Sequence, residues 1–136
     1  MWSGIPQGSL LGPILFIIYI NDLAEHCRCG SDLCLYADDA KLFSFIKCWE
    51  DSLMLQKDLD NLTLWMDIWL LCLNIGKCKA VSYGMRPEIC TNYNISGEII
   101  EKIESIKDLG VTFDKKKLKF DDHINNKIGT AYQMFG

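Results

Sequence analysis

The hydrophobic positions of this chain change their period several times, and each change marks an element. From Leu10 to Ile20 nearly every residue is apolar, with Gly12-Pro13 near the start. Proline is tolerated only in a helix's first turn, and Ser9 is a residue type that caps helices. The pattern predicts a helix of about three turns, apolar all round and therefore buried. The run is too short to cross a bilayer. No basic residue precedes it and no clear small-residue cleavage site follows, so neither secretion nor membrane insertion is expected. The Asn-x-Ser/Thr triplets at Asn61 and Asn94 then carry no weight as glycosylation sites.

Further along, His26 to Asp32 reads as a loop, and Leu33–Tyr36 and Ala40–Ile46 as two short strands around an acidic turn. From Glu50 to about Leu73, the residues Leu55, Leu59, Leu62, Met66, Trp69 and Leu73 recur at steps of four and three. They form one face of a long helix, with Asp51, Asp58, Asp60 and Asp67 mostly off it. Asn74-Ile75-Gly76 supplies the usual terminators. Lys79–Tyr83 reads as a returning strand. Tyr93–Ile95 and Glu98–Ile103 suggest a hairpin around Ser96-Gly97, and Ile106–Phe113 a strand broken by Gly110. Asp121 or Asp122 would cap a last helix. The sum is α+β: an antiparallel sheet with helices on one face.

Composition narrows the function. The 136 residues are 49% hydrophobic and 24% charged, which suits a globular chain able to bury a core. The net charge of −4 and a pI near 5.1 are opposite to the basic footprint of a self-sufficient nucleic-acid binder. An acidic balance is compatible with a carboxylate metal site. Seven cysteines, at 27, 29, 34, 48, 72, 78 and 90, give neither a disulfide framework nor a Cys-x-x-Cys ribbon. His26-Cys27-Arg28-Cys29 lacks a second ligand pair, so zinc is not expected. Reduced thiols in an intracellular compartment fit better.

The most informative residues are Tyr36-Ala37-Asp38-Asp39. Adjacent carboxylates raise each other's cost of ionisation, and a divalent cation removes that cost. Mg²⁺ is usually held by one or two carboxylates together with substrate phosphates. An exposed acidic turn accounts for the same residues without chemistry. Upstream stands Gly4-Ile5-Pro6-Gln7-Gly8-Ser9-Leu10-Leu11-Gly12-Pro13. Proline fixes a turn, glycine lets backbone approach a ligand, and a helix start offers free N–H groups to phosphate. A tight loop-to-helix junction is the plain alternative.

Three further blocks follow in order: Trp69-Leu70-Leu71-Cys72-Leu73-Asn74 with Lys77-Cys78; Lys107-Asp108-Leu109-Gly110-Val111-Thr112-Phe113-Asp114; and Leu118-Lys119-Phe120 with His123-Ile124. All five together resemble the reverse transcriptases of non-LTR (LINE-like, jockey-type) retrotransposons. The resemblance implies a polymerase palm, an antiparallel sheet with packed helices, followed by the start of a thumb. Residues 1–84 would be a partial palm, and 85–136 the palm–thumb junction strands and the first part of the thumb. It implies an RNA-directed DNA polymerase that uses two-metal nucleotidyl transfer. Its cofactor would be Mg²⁺, with Mn²⁺ as a substitute, and its partners an RNA template, a DNA primer and deoxynucleoside triphosphates.

By the same resemblance Asp38 and Asp39 are the catalytic carboxylates and metal ligands, Asp38 the surer of the two. Tyr36 and Ala37 would abut the primer end. Pro6, Gln7, Gly8 and Ser9 would shape the template and nucleotide pocket. Lys77 would stand near the departing pyrophosphate as a general acid, although on sequence grounds alone a solvated lysine is the preferred reading. Leu109 and Gly110 would hold the primer backbone. Asp22, by contrast, suits a capping role. The run Lys115-Lys116-Lys117-Leu118-Lys119 is one residue longer than the family's usual turn. The family's other essential aspartate comes from a strand N-terminal to the Pro-Gln-Gly block, which this sequence does not contain. The chain is therefore expected to be an N-terminally truncated fragment, inactive alone. The alternative is a non-catalytic nucleic-acid-binding remnant of a decayed mobile element. Location is expected to be the nucleus or cytoplasm, within a ribonucleoprotein.

Overall fold

Pro13 sits in the first turn of α1 (Leu11–Ile20), where its missing N–H costs nothing. The computed structural model describes residues 8–84, 89, 92–114, 124 and 128. They belong to two compact units, Met1–Leu73 and Asn74–Gly136. In the first, α1 leads through a 3₁₀ turn (Leu23–His26) to β1 (Asp32–Tyr36), β2 (Asp39–Phe43) and α2 (Trp49–Ile68). The second holds a 3₁₀ turn (Ile75–Lys77) and six strands. These are β3 (Lys79–Ala80), β4 (Asn94–Ile95), β5 (Glu98–Ile99), β6 (Glu101–Lys102), β7 (Ser105–Asp108) and β8 (Val111–Asp114).

The core of the first unit is Ile20, Leu23, Leu62, Trp65 and Met66, with Leu23 and Trp65 only 2% exposed. Leu33, Leu35 and Leu42 come down on it from one face of the β1–β2 hairpin, and Phe16 and Tyr19 from α1. Tyr19 adds an edge-on contact to Trp65 and to Trp69, and its hydroxyl donates to the Trp69 carbonyl. α1 is thereby fastened to the far end of α2.

α1 is not buried as its composition predicts. Leu11, Ile14, Leu15, Ile17 and Ile18 are each about half exposed or more, and Ile20 alone is buried within the helix. One side of the helix suffices to cover α2, and the described residues provide nothing for the rest. Nor is Ser9 the N-cap: Leu10 takes that position, and the Ser9 hydroxyl accepts from Leu11 N–H at 3.3 Å.

α2 opens on a capping box, in which the Asp51 carboxylate accepts from the Cys48 N–H at 3.1 Å. It ends at Ile68, short of Asn74-Ile75-Gly76. The stop is a Schellman motif: Leu71 N–H donates to Met66 C=O at 2.8 Å and Leu70 N–H to Asp67 C=O at 3.2 Å. Leu70 occupies the left-handed position normally given to glycine, with φ +57°. A leucine there conceals the terminator from the sequence. Trp69 is consequently a half-exposed cap residue, and Leu73 packs on the core from beyond the helix.

Asp58, placed off the apolar face by sequence, is fully buried. It lies four residues before Leu62 and seven before Trp65, on the buried stripe itself. Its carboxylate accepts from the N–H of Cys29 at 2.9 Å and of Ser31 at 3.1 Å. Burial pushes this carboxyl's pKa up, but the hydrogen bonds from Cys29 and Ser31 outweigh it and leave the value below normal. Asp58 thus fixes the loop that delivers β1.

The strands also differ from one continuous sheet. Among the described residues they form four two-stranded pairs, β1–β2, β3–β6, β4–β5 and β7–β8. Three are antiparallel, while β3 and β6 are parallel and joined by a Lys79–Glu101 ion pair. β4–β5 turns through Ser96 and Gly97 as predicted, both at positive φ. Ile106–Phe113 is not one strand with a bulge. It is the β7–β8 hairpin, whose two-residue loop is Leu109 (φ +46°) and Gly110 (φ +82°). The predicted last helix falls outside the described residues except for Ile124 and Ile128, both helical.

Two stability measurements check these points. Leu70→Gly should raise the unfolding free energy by up to about 1 kcal/mol, since the exposed side chain is removed from a left-handed site. Asp58→Asn should cost about 1–3 kcal/mol near neutral pH, because an amide cannot accept both N–H groups without presenting its own donors. A carboxyl with a depressed folded pKa stabilises above the unfolded value of about 3.9 and ceases to as pH falls through the folded one. The gap between wild type and variant in denaturant melts should therefore close below about pH 4.

Candidate functional site

The acidic turn is built from strand pairing and one strained residue. Tyr36 and Asp39 are directly opposed at the end of β1–β2, which leaves Ala37 and Asp38 as a two-residue loop. Such loops need a positive φ at the first central residue to match the strand twist. Ala37 supplies it at φ +49°, in a region that L-residues with a Cβ seldom occupy. Leu33–Leu42 and Leu35–Ala40 are the inward pairs of the hairpin. Cys34, Tyr36 and Asp39 occupy its exposed outer face, and Asp38 is exposed at the tip.

The loop before α1 runs alongside this tip. Gly8, Ser9 and Gly12 line a cleft of about 950 Å³ together with Tyr36, Ala37 and Asp38. Phe16, Ile17 and Ile20 of α1 and Leu35 of β1 make the rest of the lining apolar, and Asn21 follows at the end of α1. The volume is at the upper end of what small-molecule and cofactor sites use. Gly8 is at φ +86° with open space where a Cβ would be, so its glycine answers a backbone requirement rather than a steric one.

The structure brings together five of the residues singled out from the sequence. Gly8 and Ser9 share the cleft with Tyr36, Ala37 and Asp38, whereas Asp39 stands outside its lining as the first residue of β2. Pro6 and Gln7 lie outside the described residues. Lys77 belongs to the second unit, exposed in the 3₁₀ turn Ile75–Lys77. Leu109 and Gly110 also belong to that unit, at the exposed tip of β7–β8, with Leu109 60% exposed. Among the described residues no three His, Cys, Asp or Glu side chains converge on a point where a metal could sit. Asp38 lines the cleft and Asp39 is the next residue, so this pair supplies carboxylate oxygens beside it. That set fits Mg²⁺ or Mn²⁺, which take one or two carboxylates and complete their shell with water and phosphate.

The other metal-like cluster has different chemistry. Burial, then the neighbouring Asp58 carboxylate, push the Cys27 thiol up to about 11. It is protonated at neutral pH and a weak ligand in that state. His26 Nδ1 donates to the Asp22 carbonyl at 3.1 Å. Asn21 is the cleft residue that the sequence reading passed over. No signal in the sequence separated it from an ordinary polar residue at a helix end.

Comparison with known proteins supplies the family. The family model described as "Reverse transcriptase (RNA-dependent DNA polymerase)" matches residues 1–120. The chain belongs to the reverse transcriptase family. It is 31% identical over 131 residues to the RNA-directed DNA polymerase from mobile element jockey of Drosophila melanogaster, covering 91% of this chain and 14% of that protein. It is 32% identical over 142 residues to the probable RNA-directed DNA polymerase from transposon BS of the same fly, covering 98% and 16%. The jockey protein of Drosophila funebris is 30% identical, covering 91% and 14%. This reverse transcriptase chain thus spans 14–16% of the length of those curated relatives. No solved structure matches it.

Ala37 carries a prediction of its own. Ala37→Gly should leave the unfolding midpoint unchanged or raise it, whereas Ala37→Val should cost about 1–2 kcal/mol, since a β-branched residue is poorly tolerated in the left-handed region. Paired chemical denaturation curves test both.

Proposed function

We propose that this chain is the part of an RNA-directed DNA polymerase that holds a nucleotide and the primer end against the catalytic carboxylates. One observation carries the reading: the Gly8–Gly12 segment and the Tyr36–Asp38 turn line the same cleft. Membership of the reverse transcriptase family, whose enzymes generally use divalent metal ions, supports it.

In this reading Asp38, with Asp39 beside it, would hold Mg²⁺ or Mn²⁺. Two such ions, when bound, neutralise charge on the phosphoryl oxygens and activate the 3′-hydroxyl. The chain's own contribution is positioning, which is most of what phosphoryl transfer asks of a protein. Gly8 and Ser9 shape the pocket for template and nucleotide, together with Pro6 and Gln7. Tyr36 and Ala37 abut the primer end, Lys77 serves the departing pyrophosphate, and Leu109-Gly110 grips the primer backbone from the palm–thumb junction. The substrates are an RNA template, a DNA primer and deoxynucleoside triphosphates.

By itself the 136-residue chain is proposed to bind without polymerising. The motive is chemical: two divalent ions need more oxygen ligands than one tandem pair of carboxylates supplies. Titration with Mn²⁺ should broaden amide signals of Ser9, Gly12 and Tyr36–Asp39 first. Asp38→Asn should abolish that effect and leave the unfolding midpoint in place. Broadening that begins elsewhere, or ignores Asp38→Asn, refutes the site. Primer extension by this chain alone in Mg²⁺ should yield no product; extended primer would show that it is a complete enzyme.

A further inference from the structure

Asp58 sits where the packing of the first unit least favours a charge. It occupies the midpoint of α2, on the stripe that carries Leu62, Trp65 and Met66, and it is wholly buried. Burial raises its pKa, but the N–H groups of Cys29 and Ser31 hold the value below normal, so the group is an anion at neutral pH. An apolar side chain at that position would extend the core without the cost of desolvating an ion. The best-attested use of a buried polar group is to fix register.

What Asp58 registers is the start of β1. Its two oxygens are used separately: Oδ1 accepts from the Cys29 N–H at 2.9 Å, and Oδ2 from the Ser31 N–H at 3.1 Å. Between them Gly30 turns the chain at φ +102°, with open space where a Cβ would stand. The loop is thereby clamped on one carboxylate, and β1 begins at the next residue, Asp32. Five strand residues, Asp32–Tyr36, separate the clamp from the turn that carries Asp38. At about 3.3 Å per residue they make a rod roughly 16 Å long. Leu33 and Leu35 seat that rod on the core. Apolar contacts resist lifting of a strand but are non-directional, so they define its lengthwise position poorly. Hydrogen bonds are directional and define it well. β2 follows β1, because a two-residue loop ties them.

We infer that Asp58 is a positioning residue for the metal-holding turn: its carboxylate sets the lengthwise place of β1 and, through it, of Asp38 against the Gly8–Gly12 side of the cleft. The inference rests on Asp38 being a divalent-ion ligand. It adds a group outside the cleft lining on which the position of that ligand depends.

The test reads the Mn²⁺ affinity of the 136-residue chain from paramagnetic broadening of the Tyr36 and Ala37 amides, with Asp38→Asn as the blank. Asp58→Asn should weaken Mn²⁺ about tenfold, as loss of a ligand's support does, and should shift both amide signals before metal is added. Gly30→Ala reaches the clamp from the other side, since a Cβ meets no neighbour there but strains the backbone. It should show the same signature, and it decides the matter where Asp58→Asn does not fold. Asp51→Ala is the control. It removes the α2 capping box, in which Asp51 accepts from the Lys47 N–H at 2.7 Å and the Cys48 N–H at 3.1 Å, and so lowers stability without touching the clamp. It should keep wild-type Mn²⁺ affinity. Wild-type affinity in a folded Asp58→Asn chain, or in Gly30→Ala where that variant decides, overturns the inference and leaves Asp58 a group that only stabilises the fold. Equal weakening by Asp51→Ala overturns it too, because lost stability would then be the cause. A wild-type chain whose two amides ignore Mn²⁺, or an Asp38→Asn chain that binds it as well, removes the metal reading and this inference together.

Discussion

The cleft exists because Trp65 is buried. Its ring lies between α1 and α2, meets Tyr19 edge-on, and shares the core with Ile20, Leu23 and Met66. That packing sets where the C-terminal half of α1 lies, and α1 is one wall of the cleft. The opposite wall depends on the same core, because Leu33, Leu35 and Leu42 seat the hairpin on it. Truncating a large aromatic in such a place costs about 3–5 kcal/mol. Both walls would be released together.

Each unit has a hairpin tip held in strained backbone. Ala37 and Leu109 are hairpin-tip residues in the left-handed region, and both fall in the blocks that carry the family resemblance. Strained backbone persists only where its surroundings over-determine it, and it gathers at ligand-handling sites. Asp58 does the opposite work. A buried carboxylate satisfied by two N–H groups makes the loop before β1 stiff, so the strain at Ala37 is held from one side by a firm anchor.

Much of this was legible in the sequence, and the failures have definite causes. Alternation around Ala37-Asp38 showed the hairpin, and steps of three and four showed α2, because both patterns are imposed by burial of one face. The end of α2 was hidden because Leu70 occupies a site whose usual occupants are glycine and asparagine. The β7–β8 hairpin was hidden for a related reason: one glycine between apolar residues reads as a bulge, and leucine at φ +46° is not a turn signal. Asp58 was misplaced because charge suggests solvent, while its spacing to Leu62 and Trp65 put it on the buried stripe. The resemblance put Pro6–Ser9 and Tyr36–Asp39 at one pocket; of these, Gly8, Ser9, Tyr36, Ala37 and Asp38 line the cleft, Asp39 stands outside its lining, and Pro6 and Gln7 lie outside the described residues. Asn21 was not singled out, since nothing in a lone asparagine distinguishes a cleft-lining position from an ordinary helix end.

α1 has a further effect, on how the molecule behaves in a tube. A stripe of Leu11, Ile14, Leu15 and Ile18 left facing water is a greasy strip on an otherwise acidic particle. Like-charge repulsion among the molecules holds such strips apart at low ionic strength, and added salt weakens it. The shelf life of a concentrated sample is then governed less by how firmly the chain is folded than by the salt in its buffer.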